Sequence, residues 1–347
     1  MQRIQILQKA CDDKDKIIAR LEQQIEEMKS SAQSRELTAQ VEIPSGIHNG
    51  EKGMAGLCWL IASIQVIFGL RVFMQSIYQA WRETKQSNEP SDDLLSTSLI
   101  DIWLALGYQG EKSARKDQKL LLLRSFRDKL ICGNQEWYNN VTTWNEGKTF
   151  EKLTTKEKDG IQFDSAETYN QIITVLEKEF ENDGCLNLLI WERTPPPPSK
   201  DATFREKIVM ICTESYKSGQ TTIYDLLDGA ISDCGSFCGE PSKYLVFSYG
   251  EKNTNFDLKQ PQKLSMEKYF TSTTNTSYKL IGLLSHCGED TSVGHNLAYR
   301  LIDGKWYYFN DDEVHEINEC EIGKAYGLSE GGCETAYLAF FEQLQKG

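Results

Sequence analysis

The chain has 347 residues, 51 of them acidic and 38 basic, for a formal net charge of −13. Such a field disfavours nucleic acid and anionic membrane and favours a basic partner or substrate. Apolar residues make up 39%, with 7 Trp, 15 Tyr and 14 Phe, which describes a chain able to bury a large core and excludes a disordered one. No apolar stretch approaches the length of a membrane span, and the polar, charged N-terminus is not a secretory signal. A cytoplasmic and/or nuclear protein is expected, its ten irregularly spaced cysteines reduced and the sequon Asn140-Val-Thr142 a chance match.

Residues 1–40 read as a coiled-coil helix and linker. Ile4, Leu7, Cys11, Lys14, Ile18, Leu21, Ile25 and Met28 recur at alternating spacings of three and four, a heptad seam with one polar lapse at Lys14. β-Branched residues at its first position and Leu or Met at its second predict a parallel pair and hence a homodimer. The alternative is one amphipathic helix packed on its own domain. Ser30 to Glu42 forms a polar linker closed by Pro44 and Gly46.

From residue 41 to 347 the pattern is that of a second unit with two halves. Cys58–Leu70, Val72–Trp81, Leu94–Leu106 and Lys119–Leu130 read as helices bounded by Gly, Asn and Pro. Another opens at Asp164-Ser165-Ala-Glu167, an N-cap followed by Glu, with Tyr169, Ile172, Ile173, Leu176 and Phe180 on one face. After Gly184 the period changes. Leu186–Trp191, Ile208–Cys212, Thr221–Leu227, Tyr244–Tyr249 and Tyr278–Leu284 are short β-branched or aromatic runs between turn residues and predict strands. Thr194-Pro195-Pro-Pro-Pro198 is a stiff extended loop. The expected class is α+β, a helical lobe followed by a largely antiparallel β lobe.

Cys58 follows a glycine-rich approach, Gly46-Ile47-His48-Asn49-Gly50, Gly53 and Gly56, and opens an apolar helix. A helix N-terminus stabilises a thiolate, and its unpaired N–H groups can bind an oxyanion. Of the four histidines, His48 and His315 lie in polar segments, whereas His286 and His295 frame the loop Cys287–Gly294 on predicted strands. Gly294 is expected to leave room for a substrate beside His295. The strand Trp306–Phe309, reached through the turn Asp303-Gly304, ends at Asn310 and Asp311, either of which could accept the imidazole N–H and set its tautomer. A Cys, a distant His and an Asn or Asp brought together by folding make a thiol hydrolase.

These residues carry a resemblance to the ubiquitin-specific proteases, papain-like cysteine deubiquitinases. Cys58, Trp59, Ser63 and Gln65 match the family's cysteine box. Gln162-Phe-Asp164-Ser165-Ala-Glu167 matches its Gln-Gln-Asp-Ala-x-Glu box. His286-Cys-Gly288, Gly294-His295, Tyr299, Trp306, Phe309 and Asn310-Asp311 match its histidine box. The resemblance covers about residues 46–315. It implies a papain-like fold with a helical thumb (about 46–183) and a β palm and fingers (about 184–347). It also implies Cys58 as nucleophile, His295 as base and Asn310 as orienting residue, with Asp311 as neighbour or substitute. Where the family places an oxyanion-donating Asn five residues before the cysteine, this chain has Gly53, and Asn49 is the candidate donor, with a backbone N–H as alternative. Asn296 stands where an aromatic residue usually follows the catalytic histidine. The finger cysteines Cys212, Cys234 and Cys238 fall short of a four-ligand zinc site, so neither metal nor cofactor is expected. The implied activity is hydrolysis of isopeptide bonds at the C-terminal glycine of ubiquitin or a ubiquitin-like modifier. The alternative is a weak or inactive pseudoenzyme that binds ubiquitin, or a coiled-coil scaffold.

Overall fold

The computed structural model describes residues 45–47, 49, 56–86, 94–108, 113–141, 149–181, 185–189, 191–193, 204–210, 223–234, 237–249, 263–270, 276–290, 293–322 and 334–344. The coiled-coil expectation for residues 1–40, His48, the proline run and Cys212 lie outside them.

The fold begins with the helices α1 (Cys58–Gly69), α2 (Arg71–Gln86), α3 (Leu95–Ala105), α4 (Lys116–Cys132), α5 (Gln135–Val141), α6 (Thr155–Asp159) and α7 (Ser165–Glu179). Four of them match the sequence expectation to within a few residues. At α7 the Asp164 carboxylate accepts from the Glu167 N–H at 2.7 Å, and Tyr169, Ile172, Ile173 and Leu176 are fully buried, as the periodicity requires. Helix α1 differs in kind: every residue from Cys58 to Phe68 is buried. A helix apolar all round must be enclosed, and α1 lies between α7 and the strands β7 (Ser277–Asp290) and β8 (Val293–Ile302).

Those strands belong to the main sheet, whose other members are β3 (Val209–Met210), β5 (Tyr244–Ser248), β6 (Lys263–Ser265), β9 (Lys305–Asn310), β10 (Glu313–Ile317) and β11 (Glu334–Gln343). Its order is β10-β9-β8-β7-β11-β5-β3, with β6 also on β7. All pairs are antiparallel except β3 with β5. The central strands are buried on both faces, so they read as continuous apolar runs. Val246, Leu284 and Phe340 join the core under the helices, while Leu245, Phe247, Leu283, Ala339 and Phe341 join the core of the opposite face. A second, three-stranded sheet is built from β1 (Trp191–Arg193), β2 (Phe204–Glu206) and β4 (Phe237–Cys238). This is the expected α+β arrangement.

Two expectations fail in the second half. Thr221–Leu227 was expected as a strand, but Ile223–Cys234 is a helix, α8. Its β-branched start is overridden by a four-residue period that buries Ile223 and Leu227 while Asp225 and Asp228 stay exposed. Within Leu186–Trp191 the described residues form a 3₁₀ turn, Cys185–Leu188, and Trp191 opens strand β1. Leu186 and Leu189, three apart, are the buried pair there.

Arg300 of β8 ties sheet to helix. Buried at 2% exposure, its guanidinium donates to the Phe68 carbonyl and to Gln65 Oε1, both at 3.2 Å, and to the Tyr108 hydroxyl. The carbonyl it meets is at the negative end of α1. Arg300→Met should keep the volume but strand these acceptors, lowering stability by about 2–4 kcal/mol. In a thermal melt the midpoint should fall by about 5–10 °C, and an unchanged midpoint would show that the guanidinium does not hold α1.

Candidate functional site

Cys58 is the first residue of α1 and 2% exposed. Its seat is fixed from three directions. The Gly56 N–H donates to the Asp159 carbonyl at 2.8 Å, and Trp59 Nε1 donates to the Ile161 carbonyl at 3.0 Å. A Cβ on residue 56 would lie 2.7 Å from that Asp159 oxygen, so the approach needs glycine here. Asp159 is itself held by Arg124 and by Arg127, whose side chain is 1% exposed. On the third side Asn49 Oδ1 accepts the Leu57 N–H at 3.0 Å. Leu57 is the N-cap and offers no side-chain oxygen, so Asn49 reaches in across eight residues to satisfy an N–H at the helix start.

His295 lies near the start of β8. The register pairs Ala298 with Phe309, which brings the end of β9 to the level of Leu297 and so beside His295. Across that gap His295 Nε2 and Asn310 Oδ1 are 2.7 Å apart. An amide oxygen only accepts, so Nε2 carries the hydrogen and Nδ1 is left to meet Cys58. The hydrogen bond with Cys58 raises the His295 pKa to about 9, against the effect of burial and with help from Asn310, the Cys58 charge and Asp311.

Asp311 follows Asn310 in the left-handed region, φ 52°, at the two-residue turn into β10. Its Oδ2 lies 3.9 Å from His295 Nε2 and accepts from Asn49 Nδ2 at 3.1 Å. Its carbonyl accepts from the Ile47 N–H at 3.0 Å. The five residues singled out from sequence, Asn49, Cys58, His295, Asn310 and Asp311, are therefore one connected cluster. Asn49 braces both the cysteine helix and the acid.

Gly294 does not make room for a substrate. A Cβ there would fall 2.4 Å from Nε2 of His286, so the His286 ring fills the space beside it. Cys287 is disulfide-bonded, in contrast to the expected reduced cysteines. His315 is on the surface, 62% exposed, near Glu313. Cys238 is half-buried, and burial pushes its thiol pKa up.

One residue at the site was noted in the sequence only as a departure. Asn296 Nδ2 lies 3.8 Å from Cys58 Sγ, while its Oδ1 accepts from Ser165 Oγ at 2.7 Å. The sequence signal was Asn296 in place of an aromatic residue; Ser165 lay within a box read as a match and gave no signal of its own.

The raised imidazole has a direct check. Followed by NMR, His295 should titrate near pH 9, and Cys58→Ala should lower that value because the first cause of the shift is removed. A group whose folded pKa exceeds its unfolded value of 6.5 stabilises fully below 6.5 and loses that contribution as pH rises through 9. Wild-type stability should therefore fall between these values more than that of His295→Ala. An imidazole titrating at 6.5 or below would contradict the arrangement.

Residues 242–341 match the family model for ubiquitin carboxyl-terminal hydrolase. Mouse ubiquitin carboxyl-terminal hydrolase 3 is 30% identical over 87 residues, 24% of this chain and 15% of that protein. Ubiquitin carboxyl-terminal hydrolase 14 of Arabidopsis thaliana is 49% identical over 68 residues, 19% of this chain and 7% of that protein. The matched stretches thus span only a small part of these relatives. Among solved structures, the SAGA DUB module Ubp8/Sgf11/Sus1/Sgf73 bound to monoubiquitin includes a chain similar in fold. It gives a TM-score of 0.62 at 18% identity over 93% of this chain and 76% of its own. The same module bound to ubiquitin aldehyde gives 0.58 at 17% identity, over 87% of this chain and 70% of its own. The matched hydrolase segment and these relatives make residues 242–341 similar to the ubiquitin carboxyl-terminal hydrolases, and the order of helices and antiparallel strands gives the chain the fold of the Ubp8 module's similar chain.

Proposed function

We propose that this chain is a thiol-dependent deubiquitinase that hydrolyses isopeptide bonds at the C-terminal glycine of ubiquitin or a ubiquitin-like modifier. The observation that carries the reading is the contact chain Cys58–His295–Asn310, drawn from a helix start, a strand and a neighbouring strand end. In this reading Cys58, as thiolate, attacks the glycine carbonyl carbon. His295, held protonated, gives its proton to the departing lysine amine. The thioester left on Cys58 is then hydrolysed by a water that His295 deprotonates. Asn310 fixes the ring through Nε2, and Asp311 supports the imidazolium from 3.9 Å. The relatives named as ubiquitin hydrolases and the ubiquitin-bound fold neighbours support this choice of substrate. So does the net charge of −13, which favours a basic substrate.

Cys58→Ala should abolish cleavage of a ubiquitin C-terminal amide and leave ubiquitin binding nearly unchanged, and His295→Ala should be nearly as severe. Asn310→Ala should be milder, with the double Asn310→Ala/Asp311→Ala approaching the His295→Ala loss. If the double variant is no slower than Asn310→Ala alone, Asp311 has no orienting part. The alkaline limb of kcat/KM should lie near pH 9, where the imidazolium is lost. A wild type that binds ubiquitin but neither turns over nor labels at Cys58 with a ubiquitin electrophile would instead be a pseudoenzyme.

Asn49 gives one amide hydrogen to Asp311 and in this reading turns the other towards the oxyanion. Asn49→Ala should then lower kcat by about a hundredfold with KM little altered. A silent substitution would leave the role to other donors at the site.

A further inference from the structure

Asn296 occupies the residue after His295, on the same strand, where the resemblance leads one to expect an aromatic ring. Its carboxamide meets Ser165 at the start of α7 through the oxygen and Cys58 through the nitrogen. Ser165 is 2% exposed, and its hydroxyl is 2.7 Å from the Asn296 oxygen. A hydroxyl facing an amide oxygen donates, so the oxygen of Asn296 is fixed towards α7 and the NH₂ towards the sulfur. At 3.8 Å the NH₂ is within hydrogen-bonding reach of the sulfur. The contact becomes charge-assisted, and about twice as strong, once the sulfur is a thiolate.

We propose that Asn296, oriented by Ser165, is a catalytic residue that donates a hydrogen bond to the negatively charged sulfur of Cys58. The paired departures make sense together. An aromatic ring at 296 has no carboxamide to set between the α7 start and the sulfur, and alanine at 165 has no hydroxyl to orient an amide. Asn296 supplies the donor, and Ser165 sets the direction in which it points. Aromatic packing gives way here to a polar bridge from thumb to palm that ends on the reacting atom. Among the described residues the imidazole of His295 also meets the sulfur, with the Asp311 carboxylate 3.9 Å from that ring's Nε2. Asn296 adds a neutral donor beside the imidazolium. It favours the thiolate without itself changing charge.

The role rests on the proposed nucleophile, but its test need not involve ubiquitin. In the full chain, the rate of Cys58 alkylation by chloroacetamide is followed against pH by mass spectrometry of the peptide that carries it. The inflection reports thiolate formation, independently of how accessible the sulfur is. Asn296→Ala should move the inflection to higher pH and slow alkylation at neutral pH by about tenfold. Asn296→Asp, which keeps the shape but brings a negative charge, should move it further. Ser165→Ala should give an intermediate shift, because the amide remains but is free to turn. With a ubiquitin C-terminal amide, Asn296→Ala should lower kcat by at least the same factor with KM nearly constant. An alkylation profile of Asn296→Ala or Asn296→Asp that superimposes on wild type overturns the proposal. Shifted profiles in a wild type that does not turn over ubiquitin would uphold it and reject the deubiquitinase reading instead.

Discussion

Everything at the site depends on how α1 is seated against β8. A strand advances about 3.3 Å per residue and a helix about 1.5 Å. The five steps from His295 to Arg300 thus span about 17 Å of strand, and the ten steps from Cys58 to Phe68 about 15 Å of helix. The two lengths nearly match. One strand therefore meets the helix at both ends, with His295 at the sulfur and Arg300 at the last carbonyls. Because α1 is buried on all sides, it cannot rotate or slide without moving core side chains, and this fixes the position of Cys58 against the imidazole.

The electrostatics follow the same economy. Asp311 touches both halves of the site: its carboxylate faces the imidazole and also holds Asn49, which holds Leu57 at the start of the cysteine helix. The turn that presents this acid needs the left-handed backbone found at Asp311, which Asp and Asn accept more readily than most residues. A group that steadies the protonated ring is thereby tied to the loop that carries the sulfur. Any displacement of one reaches the other through two short hydrogen bonds.

What was legible in the sequence was whatever a local rule dictates. Helical periods, the Asp164 cap, the Asp303-Gly304 turn and the apolar strands Tyr244–Ser248 and Ser277–Asp290 follow from residue type and spacing alone. Cys58, His295 and Asn310 were legible because the chemistry admits few residue types and the order along the chain agreed. Thr221 to Leu227 was misread because β-branched residues outvoted a buried four-residue period that only the packing reveals. The role of Gly294 was misassigned for a similar reason: the ring that fills its space belongs to His286, eight residues back on the partner strand. Arg300 gave no signal at all, since the carbonyl, amide and hydroxyl to which it donates are uncharged groups that do not mark a cation's partner in sequence.

Asn49, Ser165 and Asn296 show a different limit. Asn49 and Asn296 stand out against the motifs the chain resembles, Ser165 lies inside a box it otherwise follows, and a motif treats its positions one at a time. The physical demands at a thiol site are a fixed imidazole, a supported helix start and donors where charge develops, and these are demands on points in space. Asn49 meets one from eight residues upstream of the helix cap. Ser165 and Asn296 come from a helix and a strand 131 residues apart and act on one amide. A chain only 18% identical to a structural neighbour can depart at every such position and still present a polar group where the chemistry calls for one. For a site of this kind, a departure carries meaning only after its contact partner is known, and two departures in contact say more about function than a matching residue does.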